Sequence, residues 1–121
     1  MSKVTISNYS GSTIGYIDGD YIRNRNGSTI GRVSGGYIRN ASGSTIARYS
    51  SGTVSNYSGS TIGYFRNGTA TSRSGSTIGY AKNGSFSNRS GSTLGRYNSS
   101  LSDEQLVAAL GFFFEFWDGF S

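Results

Sequence analysis

The stretch Gly11-Ser12-Thr13-Ile14-Gly15 recurs along the chain at a fixed interval of 16 residues. Its first four residues, with Leu replacing Ile in the last copy, begin at six positions: Gly11, Gly27, Gly43, Gly59, Gly75 and Gly91. No insertion or deletion separates these copies. A fixed period of this kind is typical of one structural unit that packs against copies of itself. The repeat therefore decides the fold class before any other feature of the chain.

Each 16-residue repeat divides into two eight-residue units with an apolar residue at the same place. The residues of this column are mostly β-branched, which favours a half-buried strand. We predict that the column forms the core of the repeat region: Ile6, Ile14, Ile22, Ile30, Ile38, Ile46, Val54, Ile62, Ile78, Phe86 and Leu94. Pairs such as Asn67-Gly68 and Asn83-Gly84 indicate turns between the strands, because glycine accepts positive φ without steric cost.

Two all-β architectures are compatible with short strands at this spacing. In a two-sided β-solenoid, each 16-residue coil contributes two strands, and the whole apolar column points into one narrow core. In an antiparallel meander with two-residue turns, the column would fall on opposite faces of the sheet in successive strands. We therefore predict a β-solenoid of about six coils, stacked in parallel over residues 1–101. The antiparallel β-meander is the alternative, and the Asn-Gly pairs, a hairpin signal, support it.

Residues 102–121 differ in character and are predicted to form a second region. Ser102 and Gln105 have the spacing of a capping box, and apolar residues follow at helical intervals. The sequence predicts an amphipathic helix over 103–117, with Gly119 as its stop. We expect the helix to lie across the last coil, to join one subunit to another, or both. The residues predicted for this cap or assembly role are Leu106, Leu110, Phe113, Phe114 and Trp117.

The composition argues against an enzyme. The chain has no Cys and no His, and four of its six acidic residues lie in the predicted helical region. Thiol nucleophiles, Cys/His zinc sites and the commonest acid–base residue are therefore excluded. We predict no catalytic, cofactor-binding or metal-binding residues, and no small-molecule substrate is evident.

The chain contains no stretch of 18 apolar residues and no apolar core in its first residues. We therefore expect no transmembrane helix and no signal peptide. This predicts a cytoplasmic protein or one exported by a non-classical route.

Two columns of the repeat suggest binding surfaces. A column of threonines would form a straight rank on a regular solenoid, as in ice-binding proteins such as the short-repeat antifreeze solenoid of a grass, which the repeat resembles. It consists of Thr13, Thr29, Thr45, Thr61, Thr77 and Thr93. The position beside this rank, held by Gly in five copies and by Ala47 in the third, is expected to point outward as well.

A second column, near the strand ends, carries either tyrosine or arginine in each copy. It consists of Tyr16, Arg32, Arg48, Tyr64, Tyr80 and Arg96. All eleven basic residues lie in the repeat region, and the net charge is +5. A basic surface that carries aromatic rings is compatible with nucleic acid or another polyanion as a partner. On the solenoid, these charges are expected to be spread around the rod.

The repeats Ser-Gly-Ser-Thr-Ile-Gly-Tyr and Asn-Gly-Ser-Thr-Ile-Gly-Arg, followed by a Phe-rich end, resemble a group of uncharacterised bacterial repeat proteins. This resemblance implies a β-solenoid and supplies no activity and no functional residues.

A solenoid with one capped end and one open end favours end-to-end addition. We therefore expect a structural, self-assembling protein, such as a filament or fibre subunit. A rod that binds ice or a polyanion is the alternative.

Overall fold

A computed structural model describes residues 3–117. These residues form twelve β-strands and one α-helix. The strands are β1 (Val4–Asn8), β2 (Thr13–Asp18), β3 (Tyr21–Asn24), β4 (Thr29–Ser34), β5 (Tyr37–Asn40), β6 (Thr45–Ser50), β7 (Thr53–Asn56), β8 (Thr61–Arg66), β9 (Thr69–Ser72), β10 (Thr77–Lys82), β11 (Ser85–Asn88) and β12 (Thr93–Tyr97). The helix, α1, is Asp103–Phe114. Within this part of the chain, no helix has the length and apolar character needed to cross a bilayer.

The twelve strands form a closed antiparallel barrel, in which each strand pairs with its neighbours in sequence and β1 pairs with β12. The predicted β-solenoid is therefore wrong. The alternative, an antiparallel meander, is partly correct: the strands pair antiparallel in sequence order, but the sheet also closes into a barrel. The Asn-Gly pairs were the decisive signal. At Asn67-Gly68 and Asn83-Gly84 both residues have positive φ, which is the conformation that matches a two-residue hairpin to the twist of its strands.

The other turns lie at the opposite end of the barrel, which we call the crown. Its six turns cover residues 9–12 and the five equivalent segments 16 residues apart. Next to each turn the register shifts by one residue; for example, Ile6 pairs with Gly15 and Ser7 with Thr13, so that Ile14 is left in a bulge. The bulge accommodates one unpaired residue in the longer strand, which a meander with a uniform register would not allow.

The bulge divides the predicted core column into two sets. Six members lie half-buried at the bulges and pack against the core: Ile14, Ile30, Ile46, Ile62, Ile78 and Leu94. The other five are fully buried inside the barrel: Ile6, Ile22, Ile38, Val54 and Phe86. A further inward column, which the sequence argument did not place in the core, completes the interior: Ile17, Val33, Phe65 and Ala81, with Tyr49 and Tyr97 half-buried.

Helix α1 runs inside the barrel, because residues 106–111 are buried on every side. Its expected position across a last coil is wrong, since no such coil exists. The predicted capping box is confirmed: Gln105 N–H donates to Ser102 Oγ at 3.3 Å, and Ser102 N–H donates to Gln105 Oε1 at 2.9 Å. The helix ends at Phe114, earlier than predicted, where Glu115 adopts a left-handed conformation. The predicted stop at Gly119 lies outside the described residues.

Polar contacts hold the first turn of α1 at the two-residue hairpins. The Gly36 N–H donates to Glu104 Oε1 at 2.7 Å, and Gln105 Nε2 donates to the Gly19 carbonyl at 2.9 Å. The Tyr49 hydroxyl donates to the Phe65 carbonyl at 3.0 Å, and burial, with Asp103 nearby, raises the pKa of Tyr49. These contacts place the start of the helix at the end of the barrel opposite the crown.

The inward position beside each bulge is glycine in five of six hairpin units, and an aromatic side chain of the C-terminal segment faces each of these glycines. The pairs are Gly31 with Phe112, Gly15 with Phe113, Gly95 with Phe114, Gly79 with Phe116 and Gly63 with Trp117. The expectation that this column points outward is wrong, since all six positions are buried. Consecutive aromatic residues take consecutive positions around the ring, in the reverse of the strand order. The one equivalent position that is not glycine is Ala47.

A methyl group at one of these glycines should displace the ring that faces it. An added Cβ at Gly63 would lie 2.5 Å from Trp117 Cζ3 and 2.6 Å from the Thr71 carbonyl oxygen. We expect Gly63→Ala to lower the free energy of unfolding by about 2 kcal/mol through overpacking. It should also shift the emission of Trp117, the only tryptophan, to longer wavelength. The matched control is Ala47→Gly, for which we expect a loss of about 1 kcal/mol or less. Unchanged emission and stability in Gly63→Ala would contradict this packing.

Candidate functional site

The outer surface of the barrel differs from one side to the other. Side chains alternate along each strand, so neighbours of the buried residues Ile22, Val33 and Ile38 point outward. On β3 to β6 these outward positions carry arginine and tyrosine. We call this surface the Arg/Tyr face: Tyr21, Arg23, Arg32, Tyr37, Arg39 and Arg48. The charges are therefore not spread evenly around the molecule, as was expected for a rod.

Each tyrosine of the Arg/Tyr face is in contact with two guanidinium groups. The Tyr21 ring centroid lies 5.2 Å from Arg23 Cζ and 5.1 Å from Arg32 Cζ. The Tyr37 centroid lies 5.5 Å from Arg39 Cζ and 5.4 Å from Arg48 Cζ. These distances are within the range of cation–π attraction. The rings are 38% and 41% exposed, so the arginines are held above a surface that solvent and a ligand can reach.

Arg32 and Arg39 lie directly opposite each other on β4 and β5. Like charges at such a cross-strand pair destabilise a sheet. Among residues 3–117 the structure shows a single ion pair, between Arg23 Nε and Asp18 Oδ2 at 3.8 Å. Arg32, Arg39 and Arg48 thus have no carboxylate partner in this part of the chain, and their cation–π contacts are with the tyrosine rings.

The repeat itself shows that the barrel does not need this face. The sequence Tyr-Ile-Arg-Asn occurs twice, at 21–24 and 37–40, on two adjacent hairpin units. In the other four units the outward tyrosine is replaced by Thr or Ser, and the arginine by Ser or Thr. Those units form the same strands with equivalent register. The tyrosine and arginine of the two Tyr-Ile-Arg-Asn segments are therefore an addition to a scaffold that other units form without them.

Sequence reasoning singled out only part of this face. Arg32 and Arg48 belong to the predicted Tyr/Arg column, but Tyr21, Arg23, Tyr37 and Arg39 were not assigned to a site. The signal was present in the exact repetition of Tyr-Ile-Arg-Asn in two units. What the sequence could not give was the neighbourhood, since only the antiparallel order places β3 to β6 side by side.

The predicted threonine column does not form a straight rank. Each member is the first residue of every second strand, so the column is distributed around the closed ring: Thr13, Thr29, Thr45, Thr61, Thr77 and Thr93. All but Thr93 are half-buried. A flat array of hydroxyl groups, on which the ice-binding alternative depended, is absent from this surface.

The residues predicted for a cap or assembly role lie in the barrel interior or at its end. Leu106, Leu110 and Trp117 are buried, and Phe113 and Phe114 are half-buried against glycines. The Trp117 indole Nε1 donates to the Val107 carbonyl at 3.0 Å. In the described structure these side chains fill the molecule's own core.

Guanidinium groups that pack against tyrosine rings are suited to binding anions such as phosphate. Arginine presents several N–H donors in a planar fork and forms strong, often bidentate hydrogen bonds to phosphate oxygens. Contact with tyrosine limits the movement of each arginine, so less side-chain entropy is lost when a ligand binds. The Arg/Tyr face therefore has the chemistry of an anion-binding surface.

A family model described as a 5-fold beta-flower protein matches residues 2–115. No curated protein and no solved structure matches the chain. The described residues form six hairpin units, counting the pair of β12 and β1.

Proposed function

The chain belongs to the 5-fold beta-flower family, whose description names an architecture and no ligand, and we propose from its own surface that it binds nucleic acid through the phosphate backbone. The Arg/Tyr face is the binding surface in this proposal. The observation that carries it is the concentration of four arginines on four adjacent strands, two of which, Arg23 and Arg39, stand where the other units have Ser or Thr.

The charge distribution supports this proposal. Arg32, Arg39 and Arg48 carry no ion pair among the described residues, so a ligand phosphate need not displace a carboxylate from them. The acidic residues nearest along the chain, Asp18 and Asp20, flank the hairpin at the end of the barrel away from the crown. We therefore expect a nucleic acid to cross the middle of β4 to β6 and to avoid the Asp18 end.

Binding of this kind is electrostatic and independent of sequence. Each arginine that neutralises a phosphate releases condensed counterions, so affinity falls steeply as the salt concentration rises. Because the tyrosine rings are already covered in part by guanidinium groups, we assign them to positioning the arginines and not to stacking with bases.

The repeat supplies conservative substitutions that test the proposal. Arg39→Ser and Arg48→Tyr introduce the residues that the next unit carries, Ser55 and Tyr64. We expect this double variant to bind a fluorescent oligonucleotide about tenfold more weakly at low salt. The slope of log affinity against log salt should become shallower by roughly 2. Fluorescence anisotropy over a salt series measures both quantities.

The control removes two arginines elsewhere. Arg73→Ala and Arg89→Ala change two crown turns to the residue that Ala41 provides in the equivalent turn. This control should keep most of the affinity, and melting curves should show that both variants are folded. No binding by the unmodified protein at low salt, or an equal loss in both double variants, would refute a role for the Arg/Tyr face.

A further inference from the structure

The crown presents one protruding residue from each of its six turns. These tip residues directly follow the last residue of the shorter strand: Tyr9, Arg25, Ala41, Tyr57, Arg73 and Arg89. All six are exposed, and Tyr9 and Tyr57, at 76% and 73%, are the most exposed large hydrophobic side chains of the described structure. Neither ring has a cation–π partner in the described structure, unlike the tyrosines of the Arg/Tyr face.

The turns that carry the tip residues are held by hydrogen bonds that do not involve the tip side chain. In the first turn, Asn8 Oδ1 accepts hydrogen bonds from Ser10 N–H and Ser12 N–H, both at 3.0 Å. The backbone adds Gly11 N–H to the Asn8 carbonyl at 3.0 Å, with Gly11 at positive φ. Four other turns repeat the asparagine contacts, and Ser72 replaces asparagine in the remaining one. The fold therefore does not determine whether the tip residue is tyrosine or arginine.

The six tips lie at one level. Every hairpin unit has the same register with its neighbours, and the pairing of β1 with β12 continues that register across the closure. Equivalent residues of such a ring lie on a circle around the barrel axis, with adjacent tips about 10 Å apart, which is two strand spacings. The crown is thus a flat end, and a flat partner can touch all of its tips together.

We infer that the crown docks on an anionic lipid bilayer. Tyrosine is a preferred residue at the level of lipid headgroups, and arginine is attracted to the negative surface of anionic membranes. A bilayer is the partner whose plane matches the plane of the tips, whereas a linear polymer would meet only those along its path. Among residues 3–117, the acidic residue at this end is Glu115, which is exposed just after the helix and whose negative charge partly offsets that of the three arginines.

The test is co-sedimentation of the full chain with vesicles at low salt. Vesicles of phosphatidylcholine with phosphatidylglycerol should bind the protein, and vesicles of phosphatidylcholine alone should bind it weakly. Arg25→Ala, Arg73→Ala and Arg89→Ala together should lower the partition coefficient at least about tenfold, since each arginine near the surface adds about fivefold. Tyr9→Ala with Tyr57→Ala should lower it severalfold and make the remaining binding more sensitive to salt.

A charge-matched control separates the crown from net charge. Arg32→Tyr, Arg39→Ser and Arg48→Tyr remove three arginines from the Arg/Tyr face and should leave vesicle binding nearly unchanged. The same variant should lose oligonucleotide binding, so the two surfaces succeed or fail independently. Absence of binding to anionic vesicles, equal binding to neutral ones, or the same loss in both triple variants would overturn the inference.

Discussion

Removal of residues 102–121 is expected to abolish cooperative folding of the barrel. Helix α1 fills the interior, where Val107 and Leu110 are fully buried and Leu106 nearly so. Burial of each such side chain contributes about 1.5–3 kcal/mol, and a small domain has only about 5–15 kcal/mol of total stability. Twelve short strands around an empty centre would expose a large apolar surface to water. Thermal and urea denaturation, followed by circular dichroism, should show no sigmoidal transition in the truncated chain.

Two further measurements make this expectation specific. A synthetic peptide of residues 102–121, added to the truncated chain, should restore the transition, because the helix contributes by filling the barrel and not by its covalent link. The milder variant Leu110→Ala should remain folded with a loss of about 2–5 kcal/mol. A cooperative melt of the truncated chain without the peptide would mean that the strands form a stable ring by themselves.

The second large effect is expected at a pair of facing residues on β8 and β9. Phe65 and Ala70 lie directly opposite each other, and both are fully buried. On β10 and β11, Ala81 and Phe86 form the same pair with the two sizes exchanged. We expect Phe65→Ala to cost about 3–5 kcal/mol, because it leaves a cavity beside a small neighbour.

Adding Ala70→Phe to Phe65→Ala should recover most of the lost stability. Ala70→Phe alone should cost about 1–3 kcal/mol by overpacking. In Phe65→Ala/Ala70→Phe, the ring enters the space that the first substitution opened, as Phe86 does opposite Ala81. The double variant should therefore be more stable than Phe65→Ala. Urea denaturation of the four proteins of this cycle measures the coupling, and a double variant whose loss equals the sum of the single losses would show that the two sites are independent.

Local features of this fold follow from the sequence. The two-residue hairpins at Asn67-Gly68 and Asn83-Gly84 and the capping box of Ser102 and Gln105 each depend on a few adjacent residues. Their chemistry is therefore visible without a structure. The strand positions also follow from the apolar column, because a short strand between turns needs only local periodicity.

The architecture could not be derived in the same way. The preference for a parallel solenoid over an antiparallel meander rested on a uniform register, and a single bulge residue such as Ile14 in each unit changes which side chains point inward. Gly15 and its equivalents were assigned to the surface because they flank the threonine rank, with the inward Ile column between them. Their role depends on rings of the C-terminal segment, and for Gly15 the ring is that of Phe113, nearly a hundred residues later in the chain. Contacts of that range leave no local periodic signal.

The candidate site lies between these two cases. Its residues are local and distinctive, since Tyr-Ile-Arg-Asn occurs in only two units. Their arrangement as one surface depends on which strands are neighbours. In a parallel solenoid the same arginines would belong to separate half-coils, whereas the barrel places Arg32 opposite Arg39.

The closed ring also constrains how such chains change their number of units in evolution. Because every joint between hairpins has the same register, including that of β1 with β12, duplication of 16 residues adds a hairpin without creating a new kind of joint. The helix is not duplicated with it. The five aromatic residues between 112 and 117, in the last turn of the helix and just after it, each face one glycine, so an added hairpin has no ring to face it. In a gained hairpin, the position equivalent to the glycines faces no ring, so we would expect it to accept an alanine methyl. Ala47 is the residue at this position in its hairpin.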